Sequence, residues 1–122
     1  MPNEKKIYEI KEGVNISADV VAIIAGLSAT ETEGVNSLAG GITYDEVSKA
    51  GPSKLSRAIR ILENDDDTLS VRIHLKVDYG YEIPTISVNV QQKVKAAIEN
   101  MTGMKVREVD IRIVSVNVPS DK

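Results

Sequence analysis

The chain of 122 residues contains no cysteine. It therefore offers no disulfide framework, no thiolate ligand for a metal ion and no thiol nucleophile. The absence of cysteine is compatible with a reducing cytoplasm. A long apolar run is also missing, since no stretch approaches the eighteen or so uninterrupted apolar residues of a membrane-spanning helix. The first residues lead into an alternating pattern and not into an apolar segment, so we expect neither a secretory signal nor direct membrane insertion.

Positive charge and aromatic side chains are scarce as well. Fifteen basic residues stand against eighteen acidic ones, which gives a net charge of -3, and four tyrosines are the only aromatic residues. Proteins that bind nucleic acid unaided usually carry excess positive charge and often rings on which bases stack. The composition therefore argues against nucleic acid as the partner.

The length fits one domain with one hydrophobic core. We expect residues 1–6 to form an N-terminal tail, residues 7–118 to form the domain and residues 119–122 to form a polar C-terminal tail. No internal repeat and no low-complexity segment divides the chain.

Alternating residues from Ile7 to Ile16 predict a first strand with a bend or bulge at Gly13. Ser17 then supplies an N-cap hydroxyl for a first helix. This helix is predicted to run to about Glu33, because Gly34 can adopt the left-handed conformation that closes a helix.

The stretch from Asn36 to Ser56 contains two glycine-rich breaks and is predicted to be mainly a connection. Within it, Thr43 and Glu46 form the pattern of a capping box, which predicts a short helical turn. Two arms, Arg57 to Leu62 and Leu69 to Tyr79, flank an acidic turn and predict a β-hairpin.

A second helix follows Gly80 and is predicted to end in a Schellman motif at Gly103. Its apolar residues recur every three or four positions on one stripe: Ile83, Ile86, Val90, Val94, Ile98 and Met101. Val109 to Ile113 then alternate in a last strand. The predicted core comprises Val71, Ile73, Leu75, Ile86, Val90, Val94, Ile98, Ile111 and Ile113.

The predicted order is thus strand, helix, hairpin, helix, strand. Two amphipathic helices can cover one face of a small mixed sheet, so the fold class is α+β in two layers.

Three blocks of sequence resemble the alkaline shock protein family of Gram-positive bacteria, also called the envelope stress response family. They are GVNIS and VVAIIA between residues 13 and 25, VDYG with IP between 77 and 84, and VQQKVK, MTGM and VDI between 90 and 111. The resemblance spans nearly all of Ile7 to Val116. It implies a cytoplasmic protein without a known catalytic activity, and we expect no cofactor. Some relatives gather at the inner side of the membrane through a membrane-anchored partner and influence cell-envelope homeostasis.

Five basic side chains are predicted to project from the sheet face opposite the helices: Arg60, Arg72, His74, Lys76 and Arg112. This local excess of positive charge could steer an acidic partner to the face. An ordinary charged face turned to solvent is an equally good interpretation.

Catalytic and metal sites find little support in the sequence. His74 is the only histidine and has no carboxylate or nucleophile fixed beside it in the pattern, so an acid-base role is disfavoured. The run Asp65 to Asp67 lacks the glycine and the distant glutamate of a calcium loop, which favours a plain turn. A KH-like RNA-binding domain is disfavoured too, because no G-x-x-G occurs.

Ala22, Gly26 and Ala29 form a stripe of small residues on the first helix. Close packing of helix on sheet explains the stripe better than a seam for self-association, which stays open as the other interpretation. The leading functional hypothesis is a non-enzymatic scaffold or adaptor that acts by protein-protein interaction. An RNA- or anion-binding module that uses the basic face is the alternative.

Overall fold

A computed structural model describes residues 7–11 and 13–119. The elements follow one another as β1 (Ile7–Lys11), β2 (Val14–Ser17), α1 (Ala18–Thr30), β3 (Val35–Leu38), a 3-10 helix (Tyr44–Lys49), α2 (Pro52–Leu55), β4 (Ile59–Glu63), β5 (Leu69–Asp78), α3 (Ile83–Thr102) and β6 (Val106–Asn117).

The main sheet is built around β5. On one side, β3 pairs antiparallel with the second half of β5 and β4 pairs antiparallel with the first half. On the other side, β6 pairs parallel with β5, and α3 supplies the crossover that a parallel pair requires. Helices α1 and α3 pack against each other, α1 against β3 and β4, and α3 against β6. The predicted α+β class with a mixed sheet is confirmed.

The sequence of α3 explains both its burial and its ends. Ile86, Val90, Val94 and Ile98 are at most 2% exposed, as a stripe with helical spacing requires. Gly103 ends the helix with φ 78°, and its N–H donates to the Glu99 carbonyl at 2.9 Å. Ile83 and Met101 were expected on the stripe but are 41% and 69% exposed. They lie in the first and last turns, at the margin of the packed stripe.

The prediction of one strand from Ile7 to Ile16 was wrong. The segment forms two antiparallel strands, β1 and β2, in which Tyr8 pairs with Ile16. Gly13 lies at the reversal with φ 80°, a conformation that glycine adopts without steric cost. Tyr8 is nearly fully buried in this separate two-stranded sheet.

The connection from Asn36 to Ser56 holds more structure than predicted. Its beginning belongs to β3, in which Leu38 pairs with Leu75. The predicted capping box is confirmed, since the Thr43 N–H donates to Glu46 Oε1 at 3.1 Å at the start of the 3-10 helix. A four-residue strand with two polar residues carries little local signal, and pairing with β5 decides its conformation.

The predicted core residues on β5 are confirmed, since Val71, Ile73 and Leu75 are at most 1% exposed. Ile111 and Ile113 were predicted to belong to the core but are only partly buried. They lie on β6, which forms the edge of the sheet, and α3 covers this strand incompletely. In the described residues, no helix is both long and apolar enough to cross a membrane.

Candidate partner-binding face

The sheet face opposite α1 and α3 carries the charged side chains of β5. Val71, Ile73 and Leu75 are buried on the helix side, while the alternating Arg72 is exposed and His74 is half-buried. This is the two-residue period of a strand with one covered face. The sheet therefore presents these polar residues from its central and most firmly held strand.

Strand register brings the predicted basic residues together. Arg60 on β4 pairs with Arg72, and His74 pairs with Arg112 on β6. Lys76 is half-buried and pairs with Ser37 on one side and Ser115 on the other. All five predicted residues thus lie on adjoining positions of three strands. We call this surface, consisting of Arg60, Arg72, His74, Lys76 and Arg112 together with Asp110, the charged face.

Asp110 lies within the charged face and was not included in the predicted basic strip. Its Oδ2 accepts hydrogen bonds from Arg72 Nε at 3.0 Å and from Arg112 Nε at 3.1 Å. Arg112 Nη2 also lies 3.1 Å from the same oxygen. Two of the five predicted basic side chains are therefore already paired with a carboxylate. The alternation of Asp110 and Arg112 in the sequence was the signal that could have placed Asp110 here.

The pKa of the Asp110 carboxyl is held below its ordinary value of 3.8, chiefly by the hydrogen bond from Arg112. Burial opposes this effect, and Arg72 adds to it. Because the folded-state pKa lies below the unfolded one, the ionised carboxylate stabilises the fold above the unfolded value, and this contribution is lost as the pH falls through the folded value. We expect an NMR titration to give a pKa below 3.8 for Asp110, and a higher one in Arg112→Ala. An Asp110 pKa that is unchanged in the variant would contradict this arrangement.

His74 is the half-buried histidine at the centre of the face. Its Nδ1 lies 3.4 Å from the Ala58 carbonyl oxygen. Its cross-strand neighbour on β6 is Arg112. Neither neighbour is a carboxylate or a nucleophile with which an imidazole could act as a general base.

The acidic run after β4 forms the turn of the predicted hairpin. Asp66 Oδ1 accepts hydrogen bonds from the Thr68 N–H at 3.2 Å and from the Thr68 hydroxyl at 2.6 Å. These bonds lower the pKa of Asp66. Among residues 7–11 and 13–119, no group of three or more histidine, aspartate or glutamate side chains is arranged to hold a metal ion. The bonds of Asp66 and the antiparallel pairing of β4 with β5 confirm the predicted hairpin turn.

The small residues of α1 serve close packing. A Cβ atom added to Gly26 would lie 2.9 Å from Val47 Cγ1 and 3.1 Å from Ile59 Cδ1. Ala22 and Ala29 are buried beside it. The packing interpretation is confirmed, and this stripe does not form a surface for self-association.

A cavity of about 420 Å³ lies beside β4 and was missed by the sequence analysis. Its lining includes Ala22, Ile23, Val47, Leu55 and Ile59. The volume is at the lower end of the range for small-molecule pockets. Val47 and Leu55, two buried apolar residues of the connection, were a signal that this segment folds over the helix and the sheet.

Comparisons with known proteins agree with the resemblance seen in the sequence. Protein YqhY of Bacillus subtilis (strain 168), called uncharacterized, is 27% identical over 103 residues, which are 84% of this chain and 76% of that protein. Protein Spy1535 of Streptococcus pyogenes serotype M6, also called uncharacterized, is 31% identical over 98 residues, which are 80% of this chain and 74% of that one.

Among solved structures, MamM CTD matches 84% of this chain and 96% of its own at 12% identity and a TM-score of 0.43. A similarity at this level establishes nothing about function. The model of the alkaline shock protein 23 family, described as having a cell envelope-related function, matches residues 6–118. This match spans almost the whole chain, and the chain therefore belongs to the alkaline shock protein 23 family.

Proposed function

We propose that the protein is a non-enzymatic adaptor that binds a protein partner in the cytoplasm, near the inner side of the cell membrane. The observation that carries the proposal is the charged face, which is displayed on a rigid sheet. Arg60, Arg72 and Arg112 are exposed there on three adjacent strands. Family membership supports a role related to the cell envelope. The membrane-proximal location comes from the resemblance, since some relatives gather at the membrane through an anchored partner.

An acidic protein surface fits the charged face better than nucleic acid does. The whole chain carries a net charge of -3, and Asp110 neutralises part of the positive charge on the face itself. A mixed pattern of charges selects a partner with a matching pattern, whereas a polyphosphate requires excess positive charge throughout. An RNA-binding module would lose affinity steeply as salt rises, so no retention on RNA at low salt would remove that alternative.

Reversing two charges at the centre of this face should weaken partner binding. In Arg72→Glu/Lys76→Glu, like charges would oppose the acidic surface of the partner, so we expect capture to weaken at least about tenfold. Association should become slower and less sensitive to salt. The measurement is affinity capture from the native cell, with membrane and soluble fractions kept separate, followed by binding kinetics with the captured partner.

The control is Lys93→Glu/Lys95→Glu, which makes the same change in charge at two exposed positions of α3. The control variant should remain folded, because exposed substitutions usually change stability by about 0.5 kcal/mol or less. The Arg72/Lys76 variant loses the ion pair of Arg72 with Asp110 and changes the half-buried Lys76, so we expect it to be somewhat less stable but still folded, and circular dichroism checks this. If the Arg72/Lys76 variant captures the partner as well as the wild type does, the charged face is not the recognition surface. The connection over residues 40–56, which lines the cavity beside β4, would then be the next surface to test.

A further inference from the structure

One edge of strand β6 is not paired with any strand in residues 7–11 and 13–119. Along its other edge the strand pairs with β5. The Val109 carbonyl points away from β5, because it accepts a hydrogen bond from Gln91 Nε2. The Val106 N–H also points away and donates to Glu99 Oε2, and the register shift between Val106 and Glu108 explains why these two residues are an odd number of positions apart. In a strand, alternate residues direct their backbone groups to the same side. Ile111 and Ile113 therefore present their N–H and C=O groups along the open edge.

An open edge of this kind is a template for another strand. Short strands, bulges and covering side chains are the usual means of blocking it. Here α3 occupies the start of the edge through Glu99 and Gln91, and a register shift follows Ile113. Between them, residues 109–113 form a regular stretch. Val114 and Val116, which follow the stretch, are 52% and 41% exposed.

The charges on this stretch select a register for pairing with a second copy. In an antiparallel pair of identical strands, the two copies are related by a twofold axis perpendicular to the sheet. This axis lies midway between one residue and the same residue of the second copy. An axis at Asp110 would set two carboxylates against each other, and an axis at Arg112 would set two guanidinium groups against each other. An axis at Ile111 sets Arg112 of each copy against Asp110 of the other, so both cross-strand pairs are complementary.

We propose that the chain forms a homodimer in which β6 pairs antiparallel with β6 of a second copy, centred on Ile111. Val109 then lies opposite Ile113 of the second copy, and these two positions exchange backbone hydrogen bonds on either side of the axis. The bond from Gln91 leaves the Val109 carbonyl one lone pair for this purpose. The two sheets join into one continuous sheet, and the partly buried Ile111 and Ile113 gain apolar neighbours.

The paired stretch is short, so the dimer forms reversibly and its population depends on concentration. This inference does not rest on the proposed function, since it concerns the purified chain alone. A failure to dimerise would leave the adaptor hypothesis intact, and a failure to capture a partner would leave the dimer intact.

Charge reversal tests the pairing in solution. Sedimentation velocity of the purified wild type over a concentration series should show a monomer-dimer equilibrium. Arg112→Asp places carboxylates opposite each other at both cross-strand pairs, so we expect the dissociation constant to rise at least about tenfold. The swap Asp110→Arg/Arg112→Asp restores complementary pairs and should recover dimerisation. Arg60→Asp, on the same face but on β4, should leave the equilibrium unchanged.

Cysteine cross-linking tests the register, and the chain has no cysteine of its own to interfere. In the proposed register Asp110 and Arg112 of opposite copies form a non-hydrogen-bonded pair with Cα atoms about 4.5 Å apart, within the range of a disulfide. A mixture of Asp110→Cys and Arg112→Cys should therefore cross-link into a heterodimer under mild oxidation. Each variant alone should not, because identical residues lie about 8 Å apart.

Three results would overturn the proposal. They are a wild type that stays monomeric throughout the concentration series, an Arg112→Asp variant that dimerises as the wild type does, and cross-linking of either cysteine variant with itself in preference to the mixture. The first excludes pairing through β6, and the second and third exclude the register centred on Ile111. Circular dichroism confirms in each case that the variant is folded.

Discussion

Val94→Asp is expected to unfold the domain. Val94 is fully buried on the stripe of α3 that packs on the sheet. A carboxylate there would lose its hydration without gaining a partner, and the valine side chain would lose its apolar contacts. We expect the free energy of unfolding to fall by about 4 kcal/mol or more, which is a large part of the roughly 5–15 kcal/mol of a typical domain. Thermal unfolding followed by circular dichroism measures the effect.

Val88→Asp is the matched control for this prediction. It introduces the same side chain on the same helix at a position that is 47% exposed. Its carboxylate can remain hydrated, so we expect a change of about 0.5 kcal/mol or less. Equal melting temperatures for the two variants would show that α3 does not pack through the assigned stripe.

Gly34→Ala is expected to destabilise the fold by about 3 kcal/mol. Gly34 has φ 94°, a conformation that side chains rarely adopt. An added Cβ would also lie 2.8 Å from Ile86 Cδ1 and 3.1 Å from Tyr81 Cδ2. Ile86 is 2% exposed and closely packed, so it cannot move aside without disturbing the core. The Gly34 carbonyl further accepts the Asp78 N–H at 2.8 Å, which ties any shift of this residue to β5.

Gly80→Ala separates the backbone strain from the steric clash. Gly80 has φ 100°, close to the value at Gly34, but an added Cβ would meet no atom within 4 Å. We expect Gly80→Ala to lower the free energy of unfolding by about 1 kcal/mol, which is the cost of the left-handed conformation alone. Urea unfolding of both variants gives the difference. If both variants lost the same free energy of unfolding, the close contact between Gly34 and Ile86 would not constrain the packing of α3 against the segment between α1 and β3.

Most of the regular elements could be predicted from the sequence because their signals are local. The stripe of α3 and the alternation of β5 repeat over many residues, so a few exceptions at the ends do not obscure them. The capping box at Thr43 and the glycine that ends α3 are equally local. The predicted hairpin between β4 and β5 follows from two apolar arms and an acidic turn.

The predictions that proved wrong concern segments whose structure depends on long-range contacts. Nothing local distinguishes a bend at Gly13 from the reversal that makes β1 and β2 a separate hairpin. β3 is short and partly polar, and it becomes a strand because β5 offers an edge with which it can pair. Ile111 and Ile113 alternate as core residues do, yet they lie on an edge strand that α3 covers only in part.

In the candidate site, too, local patterns predicted some features and long-range contacts decided the others. Alternation along β5 placed Arg72, His74 and Lys76 on one face without any knowledge of the neighbouring strands. Only the strand register could show that Asp110 lies between Arg72 and Arg112, because residues 38 positions apart in the chain meet across the sheet. The cavity beside β4 likewise forms where α1, the 3-10 helix and α2 close over the sheet.

The periodic elements, their amphipathic faces and the family to which the chain belongs could all be inferred from the sequence. Each of these depends on residues a few positions apart or on the pattern of the chain as a whole. Long-range contacts were needed to show which strand lies at the edge of the sheet, which charges are already paired and which backbone groups of β6 pair with no strand among the described residues. These properties depend on which segments become neighbours in space, and that is fixed by burying all the apolar faces together in one core.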